Sequence, residues 1–214
     1  MFVAFRSPRF ALAGLGVAAL FALPALSDAG SPDPRWSVVE PLLVGCPSGN
    51  ALPGCDRPMG SVAGFQVLVM GAQVVPLAGR TVTLDFSATS MRLYGDTRPG
   101  TTVNCAAATV SRLTDVSGKV TFEPRVGGNA MDGTIVVIAE GITLAAVSGR
   151  STDFDGDGRT DLSDAALLGA HLLGASLDAR TDLDGCTAGS PTSLADFAIF
   201  AEEFLRVIPD THCR

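Results

Sequence analysis

Aromatic residues make up only 6% of this sequence, with a single tryptophan, Trp36, and a single tyrosine, Tyr94. A glycosidase cleft needs paired carboxylates backed by further acids and aromatic platforms. Asp85 and Glu123 lie on strand-like segments that lack such surroundings, and they are expected as solvated, outward-facing residues. Histidine is scarcer still: there are two, His171 and His212, and none between residues 30 and 147. A Ser/His/Asp or Cys/His constellation therefore cannot be assembled in that stretch. No nucleophile–base pair can be named elsewhere, so the expectation is a protein that is not an enzyme. His212 neighbours Cys213, but no spacing in the chain resembles a zinc site. Positive charge is also short, with 15 Lys and Arg against 22 Asp and Glu and a net charge of −7. A chain this acidic is a poor partner for nucleic acid, whose phosphates must be neutralised by basic residues.

Long apolar runs are missing after the first 29 residues. Within them, Arg6 and Arg9 precede an apolar run from Phe10 to Leu23, then Pro24 and the small residues Ala25, Ser27 and Ala29. That build predicts a secretory signal peptide over residues 1–29. The run is short for a membrane span, which wants about 20 residues; an uncleaved anchor is the other reading. The expected product is secreted or at the cell surface by bacterial-type export, with no membrane span after signal cleavage. Export favours disulfides among the five cysteines. Cys46 and Cys55 flank a loop rich in Pro, Gly, Ser and Asn that they could close. Cys186 and Cys213 share the C-terminal segment and form the second candidate pair, which leaves Cys105 over.

From about Trp36 to Val147 the sequence alternates with the period of strands. Val82, Leu84 and Phe86 fall on one face of Thr81–Phe86; Phe65–Val69, Lys119–Glu123, Thr134–Ile138 and Ile142–Leu144 are strand-like too. Turn signals at Pro76–Gly79, Gly95–Gly100, Gly127-Gly128 and Glu140-Gly141 separate them. Short strands at this spacing predict an antiparallel sandwich over residues 30–147. The stretches Pro76–Leu84 and Thr114–Phe122 resemble the bacterial immunoglobulin-like, invasin-type domains, with their proline-to-glycine turn before a Thr-Val-Thr-Leu strand and their later Gly-Lys-Val-Thr-Phe hairpin. The resemblance implies an all-β immunoglobulin-like sandwich used as a spacer or adhesive module.

Composition shifts at Ser148–Thr152, which reads as a linker of residues 148–152. The next twelve residues, Asp153 to Asp164, have the pattern Asp-x-Asp-x-Asp-Gly-x-x-Asp-x-x-Asp. Calcium is a hard cation that takes six to eight oxygens, and alternate acids on a tight loop can turn inward together. Asp153, Asp155 and Asp157 are the expected side-chain ligands, with the backbone carbonyl of Arg159, then Asp161 and Asp164. Gly158 supplies the sharp bend at the sixth position. Magnesium is the lesser alternative, because it accepts fewer protein ligands.

A second copy follows. Leu162, Ala165, Leu168 and Leu172 lie at helical spacing after the loop, and Leu194, Phe197, Phe200 and Phe204 repeat them 32 residues later. Asp164 maps to Asp196, while the loop starts, Asp153 and Asp182, are 29 apart, so the second loop carries an insertion. Only Asp182, Asp184 and Asp196 keep the ligand pattern there; Cys186 and Ser193 stand in place of acids. Two readings stay open: a weaker, irregular second calcium site, or a loop that has lost its metal and is fixed by Cys186–Cys213. The duplicated loop–helix pattern resembles a type I dockerin over residues 153–214. It implies a small all-α, EF-hand-like calcium module after the sandwich, and docking to a cohesin-like protein or cell-surface scaffold. The function expected is a secreted, non-catalytic calcium-binding modular protein for extracellular assembly. The alternative is a non-catalytic subunit of a cohesin-organised, polysaccharide-degrading complex.

Overall fold

The computed structural model describes residues 30–46, 64–174, 179–183, 192–204 and 213. The signal-peptide segment, Cys55, Asp184 and Cys186 lie outside the described residues. The described chain is mostly β-sheet, with two helices among the described residues, and is compatible with a β-sandwich. No described helix is long and apolar enough to cross a membrane.

Strand alternation accounts for the centre of the fold. Strands β1 (Val38–Val39), β3 (Phe65–Leu68) and β8 (Lys119–Phe122) form one sheet in the order β1-β3-β8. Phe65 pairs with Phe122 and Val67 with Val120, and all four side chains are buried on the same face. The larger sheet runs β2-β11-β10-β4-β7-β6. Its members are β2 (Leu42–Gly45), β4 (Thr81–Asp85), β6 (Thr102–Asn104), β7 (Thr109–Leu113), β10 (Ala130–Ala139) and β11 (Ile142–Ser151). Val82 and Leu84 are fully buried on β4, which lies between β7 and β10. Phe86, the next residue of that face, is buried just past the strand. Strands β10 and β11 join through Glu140 and Gly141, both at positive φ (48° and 81°). A two-residue turn of that kind matches the right-handed twist of its strands.

A third, two-stranded sheet pairs β5 (Arg92–Asp96) with β9 (Pro124–Gly127). Residues of all three sheets meet in one core, where Phe65, Phe122, Leu84, Val110, Ile135, Leu93 and Val126 are buried together.

The structure revises the boundary read at residues 148–152. Strand β11 continues through Ser151 and pairs in parallel with β2, from Ser148 opposite Leu42 to Ser151 opposite Gly45. The stretch read as a linker is strand because β2 satisfies its backbone hydrogen bonds. Gly149 is small because the Ile135 and Met91 side chains occupy the space a Cβ would need. The chain therefore passes from sheet to acidic loop with only Thr152 between.

Helix α1 (Leu162–Leu172) and helix α2 (Leu194–Glu203) follow, separated by a 3-10 turn at Ala179–Thr181. A small second cluster buries Phe154, Leu168, Leu183 and Phe200. Phe154 and Leu183 each follow the first acid of a loop, and Leu168 and Phe200 are 32 residues apart. The cluster thus takes equivalent positions from both halves of the repeat. Phe154 stacks on Phe200 with ring centroids 5.9 Å apart.

Candidate metal centre

The first acidic loop is tied at its base before any ion is considered. The hydroxyls of Thr152 and Thr160 are 2.8 Å apart and buried. Gly156 and Gly158 have φ of 73° and 96°, a backbone that only glycine adopts without strain. The loop folds around Asp153, which is 0% exposed. Its Oδ1 accepts from the amides of Gly156 at 2.7 Å and Asp157 at 3.1 Å, and its Oδ2 accepts from the Gly158 amide at 2.9 Å.

Asp164, also 0% exposed, approaches from the other end. Its Oδ1 accepts from the amides of Phe154 (2.6 Å) and Asp155 (3.3 Å). Its Oδ2 accepts from the Asp161 amide at 3.0 Å, completing a capping box in which Asp161 Oδ1 accepts from the Ser163 amide at 2.8 Å. One carboxylate thus closes the loop and starts the helix.

Asp153, Asp155 and Asp164 come together, each offering a carboxylate oxygen, with those atoms all within 4.8 Å of one another. Asp155 is the exposed member, so the group opens to solvent on its side. Asp157 and Asp161 are outside this trio: Asp157 Oδ1 accepts from the Arg159 amide at 2.9 Å, and Asp161 Oδ1 caps α1 through the Ser163 amide. Arg159, expected as a carbonyl ligand, is an exposed loop residue.

The electrostatics of the trio favour a cation. No described basic residue forms an ion pair with any of the three. Burial pushes the Asp153 carboxyl up to about 7, against the lowering effect of its amide donors, and neighbouring Asp164 and Asp157 add repulsion. Burial raises Asp164 as well. Two ionised carboxylates 4.8 Å apart repel by about 3 kcal/mol at an effective dielectric of about 20. A bound divalent ion turns that repulsion into attraction, so the all-oxygen donor set fits a hard cation.

The β-sheet supplies part of the site, and nothing in the sequence pattern announced it. Tyr94, buried on β5, points its hydroxyl at the loop, 3.2 Å from Asp153 Oδ2 and 3.0 Å from the Gly156 carbonyl. Burial and the Asp153 charge drive the phenol far above its usual range, so it stays protonated as a donor. On β9, the hydrogen of Gly127 faces the same carboxylate: a Cβ there would stand 2.7 Å from Tyr94 Oη and collide with Asp153 Oδ2. The next amide, Gly128, donates to the Asp153 carbonyl at 2.7 Å. Ser151 Oγ donates to the Val126 carbonyl at 2.8 Å and accepts from the Asp153 amide at 3.2 Å.

The second loop is different. Asp182 Oδ2 lies 3.0 Å from Nη1 of Arg150, near the end of β11. Asp196, at the third position of α2, accepts from the Ser193 amide at 2.6 Å and its hydroxyl at 2.9 Å. This is the capping box of α1 repeated. Among the described residues, the first-loop trio is the only group of metal-type side chains brought together. Asp184, the remaining expected ligand, is outside the described residues.

The disulfide pairing is corrected. Cys213 is bonded to Cys105, with Cα atoms 5.2 Å apart, and not to Cys186. Cys213 also lies against β5, since its amide donates to the Tyr94 carbonyl at 3.1 Å. Cys46 is buried at the end of β2.

No protein-family model matches the chain, and no curated protein or solved structure does either.

Proposed function

We propose that this is a secreted, non-catalytic calcium-binding protein, with an immunoglobulin-like β-sandwich followed by a dockerin-like calcium-loop module that serves extracellular or cell-surface assembly. The observation that carries the reading is the trio Asp153, Asp155 and Asp164, two of them fully buried without a basic partner. Such a group is costly empty and favourable around a divalent cation. Calcium is preferred to magnesium because the sequence pattern of the loop offers further oxygen ligands, at Asp157, Asp161 and the Arg159 carbonyl, and calcium accepts the larger shell. The repeated capping box and the shared cluster of Phe154, Leu168, Leu183 and Phe200 support a duplicated loop–helix module. In that module Asp153 and Asp164 would hold the ion, and Tyr94 would hold Asp153 in place.

Calorimetric titration of the disulfide-bonded chain with calcium and with magnesium tests the metal. Calcium binding that disappears in Asp153→Asn is expected; no calcium binding would remove the basis of the reading. Retention of the chain by an immobilised cohesin domain, lost on adding chelator, tests the docking role. Equal failure to bind with and without calcium would reject it.

A further inference from the structure

The two loops begin with equivalent acids, yet these acids sit in opposite electrostatic surroundings. Asp153 has amide donors, a phenol and other carboxylates around it. Asp182 has a guanidinium. Nη1 of Arg150 lies 3.0 Å from its Oδ2, and the two side chains are only 13% and 12% exposed. Arg150 comes from β11, whose pairing with β2 fixes its backbone opposite Val44. The cation is therefore delivered to the second loop by the sheet.

We propose that the Arg150 guanidinium is the resident cation of the second loop, so that the chain takes one divalent ion, in the first loop only. The proposal rests on the calcium reading of the first loop. A calcium bound by Asp182 would lie about 2.3–2.6 Å from its oxygen and hence within a few ångströms of a guanidinium that never deprotonates at working pH. Like charges at that range in a largely buried place exclude each other.

The ligand pattern is thinner as well: Cys186 and Ser193 stand where the first loop has acids, while Asp196 keeps the same capping contact that Asp164 makes in the first loop. The second half is organised without metal by Leu183 and Phe200 in the shared cluster and by Thr181, which bonds His171 on α1 and Thr192 before α2. One half of the repeat is metal-dependent and the other carries its own charge.

Equilibrium dialysis against calcium of the intact, disulfide-bonded chain separates this proposal from the reading beneath it. One ion on the wild type, lost in Asp153→Asn and kept in Asp182→Asn, is expected. Two ions, one of them lost in Asp182→Asn, would overturn the role of Arg150 while leaving the first-loop site intact. No ion on the wild type would instead sink the calcium reading itself. A thermal double-mutant cycle at saturating calcium reads the pair directly. Arg150→Gln and Asp182→Asn should each lower Tm by about 5 °C, and the double variant should fall no further than either alone. Additive shifts would overturn the pairing.

Discussion

Gly127→Ala should damage the proposed metal site from the sheet side, with no proposed ligand altered. Gly127 ends β9, pairs with Arg92, and does not have a positive φ, so alanine meets no backbone strain there. The cost is steric. The added methyl would overlap Asp153 Oδ2 and stand 2.7 Å from Tyr94 Oη and 2.9 Å from Asp153 Cγ. The carboxylate would have to retreat by well over an ångström to reach ordinary contact distance, but Gly156, Asp157 and Gly158 amides hold it. Overpacking of this kind costs about 1–3 kcal/mol. Losing one hydrogen bond to the charged carboxylate adds about 1.5–3 kcal/mol. A combined loss of about 2.5–6 kcal/mol corresponds to a fall in Tm of roughly 5–25 °C for a chain of this size. Calcium affinity should weaken by about 10- to 100-fold, since about 1.4 kcal/mol is a factor of ten. Gly169→Ala, on α1 with nothing within 4 Å of its Cβ, is the matched control, and helix propensity favours the alanine by about 1 kcal/mol. Calorimetric calcium titration and thermal melts of both variants read the result. If Gly127→Ala bound calcium within twofold of wild type and melted at the same temperature, the packing of Asp153 against β9 would be refuted.

Tyr94→Phe removes only the hydroxyl between Asp153 and the Gly156 carbonyl, and should weaken calcium binding several-fold by titration, at a cost of about 1 kcal/mol or somewhat more. Asp153 is raised from its unfolded value to about 7, so the ion-free native state binds more protons than the unfolded chain between pH 4 and 7. In melts in chelator the Asp153 contribution to stability should therefore be full below about pH 4 and fall as pH rises from there to about 7; saturating calcium should flatten or reverse that slope, and a chelated protein that gained stability from pH 5 to 8 would contradict it. Reducing the Cys105–Cys213 bond opens a loop closed across 108 residues, which on chain-entropy grounds should cost up to about 5 kcal/mol. Non-reducing peptide mapping should recover Cys105 and Cys213 in one linked peptide, and a Cys186–Cys213 peptide would reject the connectivity.

The parts of this structure legible in the sequence are those governed by local pattern. Val82, Leu84 and Phe86 alternate and are buried together; Glu140-Gly141 reads as a turn and takes one. Gly158 is needed at its loop position and has the positive φ expected. What could not be read depends on pairing between distant segments. Strand β5 hides because Leu93, Tyr94 and Gly95 are buried in succession, with a register shift between Leu93 and Gly95. Strand β9 begins with proline and ends in glycine, and so reads as turn. Ser148–Ser151 has the composition of a linker and becomes strand only because β2 lies beside it. The cysteines of the disulfide are 108 residues apart, a relation no spacing rule could reveal. Asp157 and Asp161 match the ligand pattern but stand outside the trio whose carboxylate oxygens converge within 4.8 Å.

The same dependence on distant pairing makes Tyr94 the residue where the separate constraints meet. Its hydroxyl holds Asp153, its carbonyl accepts from Cys213, and its strand pairs with β9, whose Gly127 faces the same carboxylate. An ion that fixes Asp153 therefore also favours the β5 position from which Tyr94 reaches it. The disulfide, by holding Cys213 against the Tyr94 backbone, favours that position too. Two constraints that select one arrangement must support each other: if the loop takes calcium as proposed, binding should make the native disulfide harder to reduce, and forming the disulfide should tighten binding by the same factor, because linkage is reciprocal. The acidic loop is thus not a bead on a tether beside the sandwich. Its first acid, Asp153, is held by a strand some sixty residues earlier in the chain.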